Sequence, residues 1–146
     1  STFSPSNVYG PGDHFDTESS HFVPALVRKV SRLEGGDTLE LWGTGARLRQ
    51  QLYVDDLCEM VPLLFREHHG SLPLIVAPNE NLSIAEMAKI LISQLNINVN
   101  IVYNNNLDGQ YRKDGSNDLL LKTIGPYEFT SFESGIRQTY NWYTPF

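Results

Sequence analysis

A histidine, an arginine and two lysines are the side chains whose types best suit chemistry in this sequence. An imidazole can donate a proton near neutral pH, which suits His21 at the start of a helical pattern. The structural alternative for His21 is a helix cap or a surface position. Arg49, Lys29 and Lys113 could bind an anionic ligand. Their alternatives are solvated charges and, for Lys29, a helix C-terminus that favours cations.

Complete catalytic motifs are absent from the sequence. The glycines of Gly10-Pro11-Gly12 and Gly43-Thr44-Gly45 lack the third glycine and the following helix of a dinucleotide-binding fingerprint. No tyrosine is followed four residues later by a lysine, and no P-loop, Gly-x-Ser-x-Gly elbow or His-Glu-x-x-His motif occurs. Because Cys58 is the only cysteine, we expect no internal disulfide and no metal site.

Composition and charge narrow the class of protein. The 146 residues include 17 Asp and Glu against 11 Lys and Arg, and this net charge of −6 argues against a nucleic-acid partner held by a broad basic surface. No apolar run approaches the length of a membrane span, and the first residues lack the pattern of a signal peptide. We therefore expect a globular protein of the cytoplasm, with no nucleic-acid or membrane partner.

Strands and helices in alternation must position these side chains. The capping box Ser83-Ile84-Ala85-Glu86 is the clearest helix start, whereas Pro62 should kink or delay a helix that Asp55 caps. Beyond an opening strand that ends near Asn7, we predict strands over 38–42, 51–54, 73–78 and 99–103, and helices over 22–33, 56–68, 83–95, 116–123 and 131–143. This order indicates one α/β domain.

Short motifs follow one another along the chain in a specific order. They are Asn7-Val8-Tyr9-Gly10-Pro11, Ser20-His21, Trp42-Gly43-Thr44-Gly45, Arg49, Tyr53-Val54-Asp55-Asp56-Leu57, Asp108-Gly109-Gln110-Tyr111-Arg112-Lys113 and the stretch from Gly135 to Tyr143. The series resembles the extended short-chain dehydrogenase/reductase family and, within it, the GDP-L-fucose synthases. The histidine after the acidic loop and the Asp-Gly-Gln-Tyr-Arg-Lys stretch narrow the resemblance to that group.

The resemblance concerns only the carboxyl-terminal portion of that family. It implies an α/β substrate-binding portion that lacks most of the Rossmann half, with 1–146 as the substrate-binding domain and the last strands of the coenzyme domain. The coenzyme fingerprint and the catalytic Ser and Tyr-x-x-x-Lys would lie upstream of Ser1, so the cofactor-binding residues are unknown and the chain alone should be inactive.

The resemblance also implies the reaction and the partners of the whole enzyme. GDP-4-keto-6-deoxy-D-mannose would be epimerised at C3 and C5 and then reduced at C4 with NADPH, so the cofactor is NADP. The partners would be a GDP-sugar substrate and the amino-terminal coenzyme domain. Members of the family are typically homodimers, and the oligomeric state of this chain is left open between monomer and homodimer.

Individual residues take their roles from matches to the family's motifs. His21 matches the histidine that acts as the acid in epimerisation, while the partner base, a cysteine, would lie upstream and is not Cys58. Arg49 matches the arginine that holds the diphosphate, a task that suits a guanidinium. Trp42 has core packing as its alternative, and Asn7 could simply shape the following turn. Substrate binding is implied for Asn7, Lys29, Trp42, Arg49 and Lys113.

Two positions depart from the family's pattern. Gln51 stands where an aromatic or aliphatic residue is usual, and Pro62 interrupts a helix that normally runs through. One alternative is a related sugar-nucleotide epimerase or reductase, because pocket residues and not the fold select the base and sugar. Another is a free-standing sugar-nucleotide-binding or interaction module, and a third is a purely structural domain that binds no nucleotide.

Overall fold

A computed structural model describes residues 2–16, 20–104 and 111–144, which form nine short strands and five helices. The strands are β1 (Phe3–Pro5), β2 (Asn7–Tyr9), β3 (Thr38–Leu41), β4 (Leu48–Arg49), β5 (Gln51–Tyr53), β6 (Leu74–Val76), β7 (Leu82–Ser83), β8 (Asn100–Tyr103) and β9 (Arg112–Lys113). The helices are α1 (Phe22–Ser31), α2 (Val54–Glu67), α3 (Ile84–Ser93), α4 (Asp118–Ile124) and α5 (Phe132–Tyr143). Every predicted helix and strand is present, with ends that differ by a few residues.

Local sequence explains where several helices begin and end. At α3 the Ser83 hydroxyl accepts a hydrogen bond from the Glu86 amide at 3.0 Å, and the Glu86 carboxylate accepts one from the Ser83 amide at 3.1 Å. This is the predicted capping box. Ser131 caps α5 because its hydroxyl accepts a hydrogen bond from the Ser134 amide. After α1, Gly36 adopts a φ of 91°, which glycine tolerates best.

Helix α2 differs from its prediction at the start and at its proline. Tyr53 is the N-cap residue, so the prediction that Asp55 caps the helix is wrong, and Asp55 lies in the first turn. Asp56 is buried and accepts hydrogen bonds from the amide and hydroxyl of Thr130. The helix continues through the exposed Pro62, whose missing amide removes one helical hydrogen bond without ending the helix.

The amino-terminal segment changes strand partner along its length. Strand β1 pairs in parallel with β6, and Pro5 lies opposite Val76. Strand β2 begins two residues later and pairs in parallel with β5, where Asn7 lies opposite Gln51. Between them, the Ser6 amide still donates to the Val76 carbonyl at 2.9 Å. One extended segment therefore connects two separate parallel pairs.

Two further sheets complete the strand pairing of the described residues. Strand β3 pairs in parallel with β8, and β4 lies between β7, which is antiparallel to it, and β9, which is parallel. The sequence does not predict β4, β7 and β9 because two residues are too few for a periodic pattern. Their pairing nevertheless brings Arg49 opposite Lys113.

Two hydrophobic clusters hold these elements together. The larger cluster joins α1, α3 and α5 to β3 and to the aromatic rings of Tyr9 and Tyr53. The smaller one packs α2 and α4 against β6, where Leu74 and Val76 are fully buried. Ile75, between them, is 39% exposed. Helices therefore cover one face of the β1–β6 pair, and the other face, which includes Ile75, is partly exposed in the described part of the chain.

Candidate functional site

A cavity of about 390 Å³ opens where the amino-terminal segment changes partner, and we call it the switch cavity. It is lined by residues of the parallel strands β1 and β6 and by Ser6 and Ala77, which follow their carboxyl ends. In open α/β sheets, ligands bind outside the carboxyl ends of strands at such a change of strand order. The cavity is lined by Ser4, Pro5, Ser6, Asn7, Gln50, Ile75, Ala77, Asp114 and Gly115.

The switch cavity contains polar groups that a ligand can reach. Asn7, a predicted substrate-binding residue, is exposed on its wall. The hydroxyl oxygen of Ser6 is buried and has no hydrogen-bond partner within the described ranges. Buried hydroxyl groups are normally hydrogen-bonded, so this oxygen is suited to a ligand or a bound water.

A second cavity of about 390 Å³ lies between the carboxyl-terminal end of α1 and β3, and we call it the cationic groove. It brings together Lys29 and Trp42, both predicted from the sequence. Trp42 is 65% exposed, so its alternative as a core residue is wrong. Basic side chains can bind an anion, and an exposed indole beside them can stack on a planar ring. The groove is lined by Arg28, Lys29, Arg32, Leu33, Thr38, Leu39, Glu40 and Trp42.

Arg49 lies on β4 with its guanidinium anchored to backbone carbonyls. Its Nη1 donates to the Leu48 carbonyl at 2.6 Å and to the Tyr111 carbonyl at 3.4 Å. Partial burial, followed by the nearby charge of Arg47, lowers the pKa of Arg49. Both effects disfavour the charged guanidinium, and an anion bound close to it would offset them.

The β4–β9 pairing places the backbone of Lys113 directly opposite that of Arg49. Two predicted ligand-binding residues that are far apart in sequence are therefore on neighbouring strands. The side chain of Lys113 lies outside the described part of the structure. The same holds for all atoms of residues 105–110, which include Asp108, Gly109 and Gln110 of the predicted motif.

His21 is the N-cap residue of α1 and is exposed. Its carbonyl accepts a hydrogen bond from the Ala25 amide at 3.1 Å, but its side chain makes no capping hydrogen bond. The alternative that the imidazole caps the helix is therefore wrong. His21 lines neither the switch cavity nor the cationic groove. The structure thus does not bring it together with the other predicted site residues.

The described residues contain neither a metal-binding cluster nor a membrane-spanning helix. Within 2–16, 20–104 and 111–144, no cluster of His, Cys, Asp and Glu side chains could hold a metal ion. Cys58 is exposed on α2 and forms no disulfide. None of the described helices has the length and apolar character needed to cross a membrane.

The sequence reading missed Gln50, a buried wall residue of the switch cavity. Its Nε2 donates to the Pro78 carbonyl at 2.9 Å and to the Gly115 carbonyl at 3.3 Å, and its Oε1 accepts from the Gly115 amide at 2.9 Å. The sequence offers one indication of its role, which is that a polar residue directly precedes the buried strand β5. Side-chain hydrogen bonds to distant backbone groups leave no local pattern in a sequence.

Comparison with known proteins places this geometry in a family. Residues 1–75, just over half of the chain, match the sequence profile of the NAD dependent epimerase/dehydratase family. The chain belongs to this family. GDP-L-fucose synthase 1 of Arabidopsis thaliana is 32% identical over 95% of the chain, which covers 44% of that relative. The probable GDP-L-fucose synthase of Drosophila melanogaster is 30% identical over 95% of the chain, which covers 47% of that relative.

The fold of this chain is also similar to that of solved structures. The GDP-L-fucose synthetase from Naegleria fowleri bound to NADP superimposes with a TM-score of 0.89 and 30% identity, over 97% of this chain and 45% of that one. The chain therefore spans less than half the length of these relatives. The predicted α/β fold class and the resemblance to GDP-L-fucose synthases are confirmed. The roles of individual residues stay predictions.

Proposed function

We propose that this chain provides the GDP-sugar-binding part of a GDP-L-fucose synthase. The observation that carries the proposal is the register of β4 and β9, which sets Arg49 opposite Lys113. Gln50 and Asp114, the residues that follow these two, line the switch cavity. Two basic residues at paired positions on neighbouring strands suit the diphosphate of a nucleotide sugar.

The two cavities suggest a division of the substrate. In this proposal Arg49 and Lys113 hold the diphosphate, and Asn7, on the wall of the switch cavity, contacts the sugar. The cationic groove offers Lys29 for a further oxygen of the nucleotide and the exposed Trp42 ring for stacking on its base or sugar. Each substrate-binding residue predicted from the sequence thus has a part of the substrate to bind. His21 is the remaining predicted residue, and its role would be in the reaction itself.

His21 is the residue of this chain that we propose to act on the sugar. C3 and C5 flank the C4 keto group, so a base can remove a proton from either carbon to give an enolate. His21 would then return a proton from the opposite face, which inverts the carbon. Its exposed imidazole is available for this step. The base is not assigned to this chain.

NADP is the cofactor that we propose for reduction at C4, because a solved relative is bound to NADP. When bound in its reduced form, NADPH, it would supply the hydride and leave as NADP+. The glycine-rich turn that holds the pyrophosphate of a dinucleotide does not occur in this sequence, so no residue of the chain is assigned to it. The coenzyme domain as partner, a cytoplasmic location, a homodimer and a single substrate domain over 1–146 also stay predictions.

Binding of nucleotides tests the proposal directly. Calorimetric titration of the protein expressed from its complete reading frame should show saturable binding of GDP, with weaker binding of UDP and ADP. Arg49→Ala should weaken GDP binding about tenfold or more, because a hydrogen bond to a charged group contributes about 1.5–3 kcal/mol. Arg66→Ala is the matched control, since Arg66 is exposed on α2 and, among the described residues, pairs with the adjacent Glu67.

Each other outcome of this titration has a clear meaning. An absence of saturable binding would overturn the proposal and favour a structural domain. Unchanged GDP affinity in Arg49→Ala would overturn the diphosphate assignment. A preference for UDP or ADP would instead favour a related sugar-nucleotide epimerase or reductase.

A further inference from the structure

Gln50 connects three segments around the switch cavity, and the proposed mechanism does not use it. We propose that Gln50 is a positioning residue, which fixes β9 beside β4 and so sets the spacing of the Arg49 and Lys113 backbones. The inference rests on the proposed function, because this spacing matters for a diphosphate held between the two strands. Gln50 itself is not proposed to touch the ligand.

The hydrogen bonds of the Gln50 carboxamide carry the proposal. Its Nε2 and Oε1 bind the carbonyl and the amide of the same residue, Gly115, at 3.3 Å and 2.9 Å. Nε2 uses its second proton to donate a hydrogen bond to the carbonyl oxygen of Pro78, which follows β6, at 2.9 Å. The carboxamide thus has all its donors in use, and the residue is only 7% exposed. A buried and satisfied polar group specifies one arrangement of the segments it joins.

Strand β9 needs such an anchor because its own pairing is short. Two residues pair with β4, and the Leu48 amide fixes the start of the segment by donating to the Tyr111 carbonyl at 2.8 Å. Gln50 fixes its end at Gly115. There the backbone packs so closely on Ile75 that a Cβ on Gly115 would lie 2.8 Å from the Ile75 Cγ2 atom. The segment that contains Lys113 is therefore held at both ends.

A matched pair of variants tests this positioning role. Gln50→Met keeps the length of the side chain and removes its hydrogen bonds. Gln94→Met is the control, because the Gln94 Nε2 also donates to a distant carbonyl, that of Glu133 at 2.8 Å, on an exposed surface away from both cavities. Affinities for GDP, inorganic pyrophosphate and guanosine are measured by calorimetry on the protein from its complete reading frame.

The expected result separates positioning from general stability. Gln50→Met should weaken binding of GDP and pyrophosphate about tenfold and that of guanosine less than about twofold, because only the phosphates depend on the strand spacing. Hydrogen exchange at residues 111–115 should become faster in Gln50→Met only. If Gln50→Met does not fold, Gln50→Asn, one methylene shorter, should show the same selectivity.

Other outcomes would overturn the inference. Equal losses for guanosine and GDP would mean that Gln50 supports the fold in general. Unchanged pyrophosphate affinity, or equal exchange at 111–115 in both variants, would mean that Gln50 does not set the strand spacing. Wild-type protein that binds neither GDP nor pyrophosphate would overturn the proposed function, and exchange at 111–115 would then still decide whether Gln50 holds β9.

Discussion

At the scale of single residues, the proposed role of His21 in proton transfer can be tested separately from substrate binding. His21→Gln should abolish incorporation of solvent deuterium at C3 or C5 of the substrate, because glutamine cannot deliver a proton as an imidazole does. GDP affinity should stay within about twofold of wild type, since binding is assigned to other residues. The measurement is mass spectrometry of the sugar after incubation in D2O.

A second histidine provides the control for this experiment. His69 is exposed just after α2, so His69→Gln should leave deuterium incorporation at the wild-type rate. Normal incorporation in His21→Gln would contradict the catalytic assignment of His21.

The candidate site was only partly predictable from residue types. Lys29 and Trp42 were predicted singly, and the structure brings them into one groove. Residue type likewise indicates Arg49 and Lys113 one at a time, and only the strand pairing places their backbones side by side. Gln50 escaped prediction because its partners, the backbones of Pro78 and Gly115, are distant in sequence and have no side-chain signature.

At the scale of elements, Asp56 joins α2 to the segment that leads into α5. Its carboxylate accepts from the Thr130 amide at 2.8 Å, the Thr130 hydroxyl at 2.9 Å and the Tyr127 hydroxyl at 3.3 Å. Tyr127 also donates to the Glu59 carboxylate at 2.8 Å. Burial, the bond to Glu59 and the nearby Asp56 charge raise the pKa of Tyr127, so this phenol remains a donor throughout the physiological pH range.

Removal of this carboxylate should loosen α2 from α5. Asp56→Ala should lower the free energy of unfolding by about 2–3 kcal/mol, because it leaves buried donors without their charged acceptor. Urea denaturation of the protein from its complete reading frame measures the change. Asp55→Ala changes the adjacent, exposed carboxylate and should stay within about 0.5 kcal/mol of wild type. Equal effects of the two substitutions would contradict the assigned link.

The sequence predicts those helices and strands whose position is determined by local residues, such as helix caps. Helices α3 and α5 carry their caps in Ser83 and Ser131, so their starts were correct. The prediction for the start of α2 is wrong because the helix begins two residues earlier, with Tyr53 as its N-cap residue and Asp55 in its first turn. Strands β4, β7 and β9 are defined by their pairing with one another, which joins residues that are distant in sequence. A pattern of two residues cannot predict this pairing.

At the scale of the whole molecule, the β1–β6 pair has a partly exposed face. Ile75 is 39% exposed on it, and in the described residues both this pair and the β2–β5 pair have only two strands. Parallel sheets are normally covered on both faces, and exposed strand edges invite pairing between molecules. The surface also exposes Phe65 at 72% and Leu72 at 69%. Together these features favour self-association of the isolated 146-residue chain.

The isolated chain should therefore aggregate or be cut rapidly by proteases when it is produced alone. Size-exclusion chromatography with light scattering measures this, and the protein from its complete reading frame is the control. A monodisperse monomer with a cooperative thermal transition would contradict the prediction and favour an autonomous binding module.

The change of partner along the amino-terminal segment also determines when this protein can fold during translation. Among the described residues β1 pairs with β6, so this pair cannot form until Val76 has left the ribosome. At about 5–20 residues per second, that interval lasts roughly 4–15 s. Strand β2 waits a shorter time for β5, which ends at Tyr53. A nascent chain should thus join its β2–β5 pair before its β1–β6 pair.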